Sequence, residues 1–368
     1  MKNISLIGVG KLGLCFALTL EKAGYKVLGC DVNQTYVESI NNKTLNSDEP
    51  GVNSSLQKAI NFKATTNMEE VINFSNIIFL LVATPSLLNG RYNHSQIESV
   101  ISQLIKLGPQ QEEKQFVVCC TTMPSYCTSA QQRLEKYNYV VSYNPEFIAQ
   151  GRILKDQLRP DMVLIGEGSV RSGDIIEQIY KEHTANTPKI CRMSRTEAEI
   201  CKISLNCFLT TKIAFANMIG DIAEYSNCDP ANILQAIGSD TRIGIKYLGY
   251  GYGYGGPCFP RDNRALAIYA NDIGINAIIS KASDESNEAH LQYQVEIFKK
   301  NNDINEPVQF EYITYKPEST ILTESQQLLF AVKLTEAGFK VIVCERNSVL
   351  DEVKKQYGDI FIYRRKIL

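Results

Sequence analysis

Apolar residues arrive in two rhythms along this chain. Over roughly its first half, short unbroken runs (ISLIGVG, NIIFLLVATP, QFVVCCTTMP, YVVSYNP and DMVLIGE) alternate with stretches such as HSQIESVISQLIKL, whose apolar positions recur every three or four residues. Runs so short and so continuously apolar predict strands covered on both faces, and the stretches between them predict amphipathic helices. Alternation of the two predicts an α/β domain with a doubly wound parallel sheet, whose ligand site lies beyond the carboxyl ends of the strands. Thr84, Thr122 and Glu146 stand at such ends.

From about Thr196 the rhythm becomes helical. TEAEICKISLNCFLTTKIAFANMIGDIAEYSN holds no proline from Thr196 to Asn227 and predicts one long helix; DPANILQAIGSD, PRDNRALAIYANDIG and SNEAHLQYQVEIFKK predict more. After the polar break NNDINEP the α/β rhythm returns in FEYITYK, ESQQLLFAVKLTEAG, KVIVCE, SVLDEVKKQYG and IFIY. The expected organisation is a Rossmann-type domain over 1–195, an all-helical domain over 196–300 and a small Rossmann-like α/β domain over 301–368. EKAGYKVLGCD, ending at Asp31, and TEAGFKVIVCE, ending at Glu345, repeat one pattern of helix end, glycine, strand and acid. The closing RRKIL is expected to be a solvated tail.

The first strand-to-helix turn carries chemistry. Gly8, Gly10 and Gly13 form a GxGxxG fingerprint in GVGKLG, and Asp31 ends the next strand. The first glycine permits a tight turn, the second lets backbone amides approach a pyrophosphate, and the third lets the helix lie against the sheet. The acid can accept hydrogen bonds from ribose hydroxyls and would repel a 2′-phosphate, which favours NAD over NADP.

Composition narrows the class. The 368 residues include 38 Lys and Arg against 40 Asp and Glu, so no general attraction to nucleic acid or anionic membrane is expected. No signal peptide or membrane-spanning run is recognisable, and a cytoplasmic location is expected. The 11 cysteines show no metal-ligand spacing and the three histidines no relay spacing, so no metal is expected and surface or capping roles are expected for His94, His183 and His290. In a reducing compartment most of the thiols would be small buried hydrophobes.

One thiol differs. GYGYGYGGPCFPRD places five glycines in the eight residues from Gly249 to Gly256, just before Cys258. Pro260 suits the first turn of a helix, which would put the sulfur beside unpaired helix amides able to stabilise a thiolate. Lys202 and Asn206 lie four apart on the long helix and share a face, with Asn217 further along it. A helical lysine is ordinarily a solvated charge, but beside a thiol it would stabilise thiolate and alkoxide alike. Asp262 could orient a water, or serve only as a favourable acid in a first helical turn.

The ordered set GVGKLG, Asp31, VATP, TTMP, YNPEF, KISLN, FAN, DTRIG, GYGGPCFPRD and YKPESTILTES resembles the UDP-glucose/GDP-mannose 6-dehydrogenase family from residue 3 to about 345. The resemblance implies an NAD-binding domain, a central domain that forms a homodimer, and a C-terminal nucleotide-sugar domain. It implies a four-electron oxidation of UDP-glucose at C6, with two NAD, through a thiohemiacetal and a thioester on Cys258. Lys202 and Asn206 would stabilise oxyanions, Asp262 and Thr122 would hold the water, and Glu146 would assist proton transfer. The cofactor would meet Gly8, Val9, Gly10, Lys11, Leu12, Gly13 and Asp31, then Thr84, Pro85, Thr122 and Arg261. Substrate would meet Glu146, Phe147 and Ile148, the helix residues Lys202 and Asn206, and the loop residues Tyr247, Gly251, Gly255 and Gly256. Lys316 would reach in from the third domain, and Arg242 across the dimer. The chain departs from the family pattern at Ile148-Ala149-Gln150-Gly151, where Leu-Arg-Glu-Gly is usual, and at Thr323, where arginine is common. Alternatives are another nucleotide-sugar substrate (GDP-mannose or a UDP-N-acetylhexosamine), a two-electron β-hydroxyacid dehydrogenase, or a non-catalytic nucleotide-sugar binding protein.

Overall fold

A computed structural model describes residues 2–317 and 319–366. The chain divides into two compact units, Met1–Lys202 and Ile203–Leu368.

The first unit is built on eight strands: β1 (Asn3–Ile7), β2 (Lys26–Cys30), β3 (Phe62–Thr65), β4 (Ile77–Leu80), β5 (Lys114–Val118), β6 (Tyr139–Tyr143), β7 (Met162–Glu167) and β8 (Lys189–Ser194). Their order is β3-β2-β1-β4-β5-β6-β7-β8. Alternate residues feed two cores, one on each face. Ile4, Leu6 and Val117 pack with the helix Lys11–Lys22, while Ile7, Phe116 and Val118 pack with the helix Ser95–Leu107. Both faces being covered is why the strands read as unbroken apolar runs. The order reverses between β1 and β4, and Ile7 pairs with both Cys30 and Leu80, so three strand ends meet at one edge.

The sheet departs from the all-parallel expectation at one place: β7 meets β6 antiparallel, at Tyr143 and Gly166. The connection over 144–161 contains only the six-residue helix Ile153–Leu158, and an antiparallel neighbour requires no full crossover helix. Two strands, β3 and β8, are additions to the sequence reading. Each lies at an end of the sheet; β3 alternates buried with more exposed positions over four residues and β8 has no fully buried position, so neither shows a continuous apolar run.

The helix Arg195–Tyr225 supplies residues to both units. The second unit also holds the helices Pro230–Ser239, Phe259–Asp272 and Ile278–Asn301, then a parallel three-stranded sheet of β9 (Val308–Phe310), β10 (Val341–Glu345) and β11 (Ile362–Arg365) in the order β11-β10-β9. Its core joins Leu291 and Val295 to Phe310, Phe330, Val341 and Val343. The sequence repeat is also a structural repeat. Gly24 and Gly338 follow helix ends with φ of 97° and 96°, and Tyr25 N and Phe339 N donate back to Leu20 O and Leu334 O. Two expectations change here. FEYITYK forms a strand only up to Phe310, the rest being irregular chain in which Tyr315 N donates to Ile321 O. Within RRKIL, Arg364 and Arg365 belong to β11 because β10 offers a free edge, while Ile367 and Leu368 lie outside the described residues. Among the described residues no helix is long and apolar enough to cross a membrane, and no group of three or more His, Cys, Asp or Glu could hold a metal.

Candidate functional site

In the first unit the glycine fingerprint forms the turn from β1 into the helix Lys11–Lys22. Gly8 has φ 88°, and a Cβ there would strike Leu81 O; a Cβ on Gly13 would strike Gly8 O. Both positions therefore require glycine for packing. Gly10 differs: a Cβ there would meet nothing within 4 Å, so its openness serves something outside the fold. No side chain caps the helix, which leaves its first amides available to an anion. Lys11 is exposed, Leu12 half-buried and Val9 fully buried, so Val9 acts through the packing beneath the turn. Asp31 continues β2, half-exposed, with Oδ1 accepting from Asn33 N at 3.1 Å. Thr84 is buried and Pro85 exposed in the segment after β4. Open space over Gly10, uncapped helix amides and an acid at the next strand end fit the adenosine diphosphate half of a dinucleotide.

Further along the same edge, Thr122 follows β5 and is fully buried, its hydroxyl donating to Glu199 Oε1 at 2.8 Å. Glu199 also accepts from Ser125 N (2.7 Å) and Cys127 N (2.9 Å), and thereby anchors the start of the helix Tyr126–Leu134. The sequence reading missed Glu199; its one local signal is its place three residues before Lys202, one helical turn away. Lys202 is 8% exposed. Its Nζ donates to Glu146 O at 2.6 Å and lies 4.2 Å from the centre of the Phe147 ring, so it is no solvated charge. The Glu146 carboxyl is pushed up to about 7 by burial, with the Lys202 charge opposing. Its Oε1 is closed off from solvent with no hydrogen-bond partner among the described residues. A carboxyl poised near neutrality can either take or give a proton. Ile148 is half-buried beside it.

In the second unit Cys258 is exposed and stands at the N-cap of the helix Phe259–Asp272, with Pro260 in the first turn. Cys228 is exposed too, Cys191, Cys201 and Cys344 are half-buried, and the remaining thiols are buried. Burial raises Cys15 and Cys120 to about 12, and Cys119, Cys127 and Cys207 are buried as well. Asp262 N donates to Cys258 O at 2.8 Å. The Asp262 side chain is fully buried, accepting from Asn206 Nδ2 at 2.6 Å and Arg261 Nε at 3.0 Å. Asp262 is thus an acid in the first turn of its helix, and it also fixes Asn206.

The glycine loop is held rather than mobile. Gly251 N donates to Asn217 Oδ1 at 3.1 Å and Gly256 N to Thr323 O at 3.1 Å. Gly256 has φ 82° and lies against the Tyr315 ring, and Gly255 lies against Glu324 O, so side chains at either would collide. Arg264 forks onto Glu324 at 2.5 and 3.0 Å, joining the helix after Cys258 to that wall. Tyr247 is exposed at φ 66°, its ring edge-on to Phe259 at 6.2 Å. Lys316 lies 5.5 Å over the Tyr315 ring. Arg242 is exposed and folded back on Asp240, with Nη2 to Oδ2 at 2.7 Å.

The histidines correct the sequence reading, for His183 and His290 are buried and His94 is half-buried. His183 is buried against Thr19, and burial lowers it to about 4. His94 stands at a helix N-cap without capping it, accepts from Met123 N and is also lowered to about 4 by burial. His290 is buried between Asp221 and Gly251.

Residues 2–184 match the NAD binding domain of the UDP-glucose/GDP-mannose dehydrogenase family, and residues 196–289 match that family's central domain. The UDP-glucose 6-dehydrogenase of Haloferax volcanii is 26% identical over 97% of this chain and 86% of its own length. The GDP-mannose 6-dehydrogenase of Azotobacter vinelandii is 30% identical over 94% of this chain and 81% of its own. A solved UDP-glucose dehydrogenase from the hyperthermophilic archaeon Pyrobaculum islandicum covers 100% of this chain and 86% of its own at TM-score 0.88 and 28% identity. The glycine cradle, the matched domains and these relatives agree that the chain belongs to the UDP-glucose/GDP-mannose dehydrogenase family, with NAD as its cofactor.

Proposed function

We propose that this protein oxidises UDP-glucose at C6 to UDP-glucuronate. The observation that carries the proposal is Cys258: an exposed thiol at a helix N-terminus, presented by a glycine loop whose backbone is anchored on both sides. NAD, when bound, takes up one hydride in each of two oxidations. After the first, the Cys258 thiolate adds to the aldehyde carbon, and the former carbonyl oxygen takes a proton to give a thiohemiacetal. Loss of hydride from that carbon and of the hydroxyl proton leaves a thioester. Water then adds, the C–S bond breaks, and the carboxylate leaves with the thiol restored. Without the thiol adduct the aldehyde carbon has no carbinol hydrogen for the second oxidation.

In this reading Lys202 and Asn206 stabilise the oxyanions, and Asp262, fixing Asn206, orients the water. Thr122 supports that water through its oxygen, since its proton is committed to Glu199. Glu146, near neutrality, moves protons. Tyr247, Gly251, Gly255, Gly256 and Lys316 line the nucleotide-sugar site. The relatives from Haloferax and Pyrobaculum support UDP-glucose as the substrate, and the Azotobacter relative supports GDP-mannose as the second reading.

A homodimer completes the proposal. Phe208, Phe215 and Ile222 repeat every seven residues along the helix Arg195–Tyr225, Met218 and Tyr225 do the same, and all five are exposed. An apolar stripe of that spacing suits a second copy of the helix. Arg242, exposed, then serves the partner's substrate.

NADH counting tests the proposal. UDP-glucose should be the preferred donor and yield two NADH per molecule; faster turnover of GDP-mannose would reassign the substrate, and a single NADH would reject the thioester route.

A further inference from the structure

His290 belongs to no motif, yet it sits at the root of the glycine loop. It lies on the helix Ile278–Asn301 and is 2% exposed. Its Nδ1 is 2.8 Å from Asp221 Oδ1 and 2.9 Å from Oδ2; its Nε2 is 2.6 Å from Gly251 O. A carbonyl oxygen can only accept, and so can an ionised carboxylate. Both ring nitrogens of the buried ring thus face acceptors, a geometry that a charged ring carrying hydrogen on each nitrogen satisfies at both ends, beside a carboxylate whose side chain is 18% exposed.

The surroundings suit that charge. The helix Arg195–Tyr225 presents Asp221 and Glu224, the loop presents Tyr250, and the histidine's own helix presents Tyr293 and Gln294. The single proton of the Tyr250 hydroxyl is within reach of both Glu224 Oε2 (2.8 Å) and Asp221 Oδ1 (3.0 Å), and the Tyr293 hydroxyl donates to Asp221 O. Burial, reinforced by those two carboxylates, keeps Tyr250 protonated.

What the pair holds is backbone. Gly251 O accepts from His290 and from Gln294 Nε2 at 3.2 Å, while Gly251 N donates to Asn217. One turn earlier on the same helix face, Asn287 exchanges two hydrogen bonds with the main chain of Tyr254, at 2.8 and 3.0 Å. Asn287, His290 and Gln294 thus meet the loop on successive turns, in a segment whose glycines would otherwise leave it free to move.

We propose that His290, held as the imidazolium by Asp221, is a positioning residue that fixes the glycine loop and through it the placement of Cys258. It touches no reacting atom. A neutral His290, keeping its hydrogen on Nδ1 beside the Asp221 carboxylate, would turn a lone pair on Nε2 toward Gly251 O, break that link and loosen the loop. The kinetic consequence rests on the reading of Cys258 as nucleophile; the protonation state and the loop's order do not.

Three measurements test it. In ¹⁵N-histidine protein at pH 7.5, with signals assigned using His94→Gln and His183→Gln, both His290 nitrogens should resonate as an imidazolium, and Asp221→Asn should convert the ring to a neutral tautomer. A neutral ring in the wild type overturns the proposal. In a Cys228→Ser background, iodoacetamide labelling of the Cys258 peptide followed by mass spectrometry should run about tenfold faster in Asp221→Asn and His290→Gln. Asp221→Asn keeps the side-chain shape should His290→Gln fail to fold. An unchanged labelling rate in Asp221→Asn also overturns the proposal. With nucleotide sugar and NAD, Asp221→Asn should lower kcat about tenfold while leaving the KM for NAD unchanged. Loss of the kinetic effect alone, with the first two results as expected, would refute the role of Cys258 rather than that of His290.

Discussion

Cys258 and Glu146 are the two side chains whose chemistry can be separated from their packing. Cys258 is exposed, so its replacement removes little buried contact. Cys258→Ala should reduce formation of the second NADH from UDP-glucose by about a thousandfold or more while nucleotide-sugar binding stays within a few-fold, as read by calorimetry. Cys258→Ser should accumulate a covalent ester visible in the intact mass, because an ester hydrolyses more slowly than a thioester. Glu146 gives a pH signature. Burial raises its carboxyl from 4.5 to about 7, so the folded chain binds a proton that the unfolded chain has released. The associated stability is full below about pH 4.5 and is lost as pH rises through 7. Glu146→Gln never ionises. Urea unfolding should show the variant gaining on the wild type by about 2 kcal/mol between pH 5 and pH 8.5; parallel curves would mean that the carboxyl is already hydrated in the fold.

The turn from β1 into the helix Lys11–Lys22 makes a prediction at the level of an element, because its glycines are required for different reasons. At Gly13 an added Cβ collides with the main chain of Gly8, so helix and strand must separate. Gly13→Ala should lower both the melting temperature and NAD affinity. At Gly10 an added Cβ meets only open space. Gly10→Ala should leave the melting temperature within about 2 °C of wild type while weakening NAD binding about tenfold or more, both measurable in one set of thermal-shift titrations. Equal behaviour of the two variants would remove the argument that Gly10 is kept open for a ligand. The acid-terminated strand was readable for a similar reason: Gly24 and Gly338 close helices by the same local hydrogen bonds, and local geometry is written in adjacent residues. β3 and β8 were not readable: β3 alternates over only four residues, too few to stand out as a period, and β8 lacks a buried position.

For the whole molecule, the stripe on the helix Arg195–Tyr225 predicts assembly. Phe215→Glu with Ile222→Glu should halve the mass measured by light scattering without loss of helical circular dichroism; an unchanged mass would assign the stripe to another occupant. By itself the sequence determined the doubly wound sheet, the long helix that carries Lys202 and Asn206, the dinucleotide turn, and a cysteine set at the start of a helix after a glycine loop. Each is carried by residues a few positions apart, where strand period, helix period and glycine geometry act directly. Only the tertiary structure decided that Thr122 gives its proton to Glu199, 77 residues away, that Asp262 fixes Asn206 across 56, and that His290 grips Gly251 across 39. Those choices follow from the rule that a buried polar group must find a partner wherever the packed chain supplies one. That partner is selected by which helices and loops come to lie side by side, and no local pattern records it.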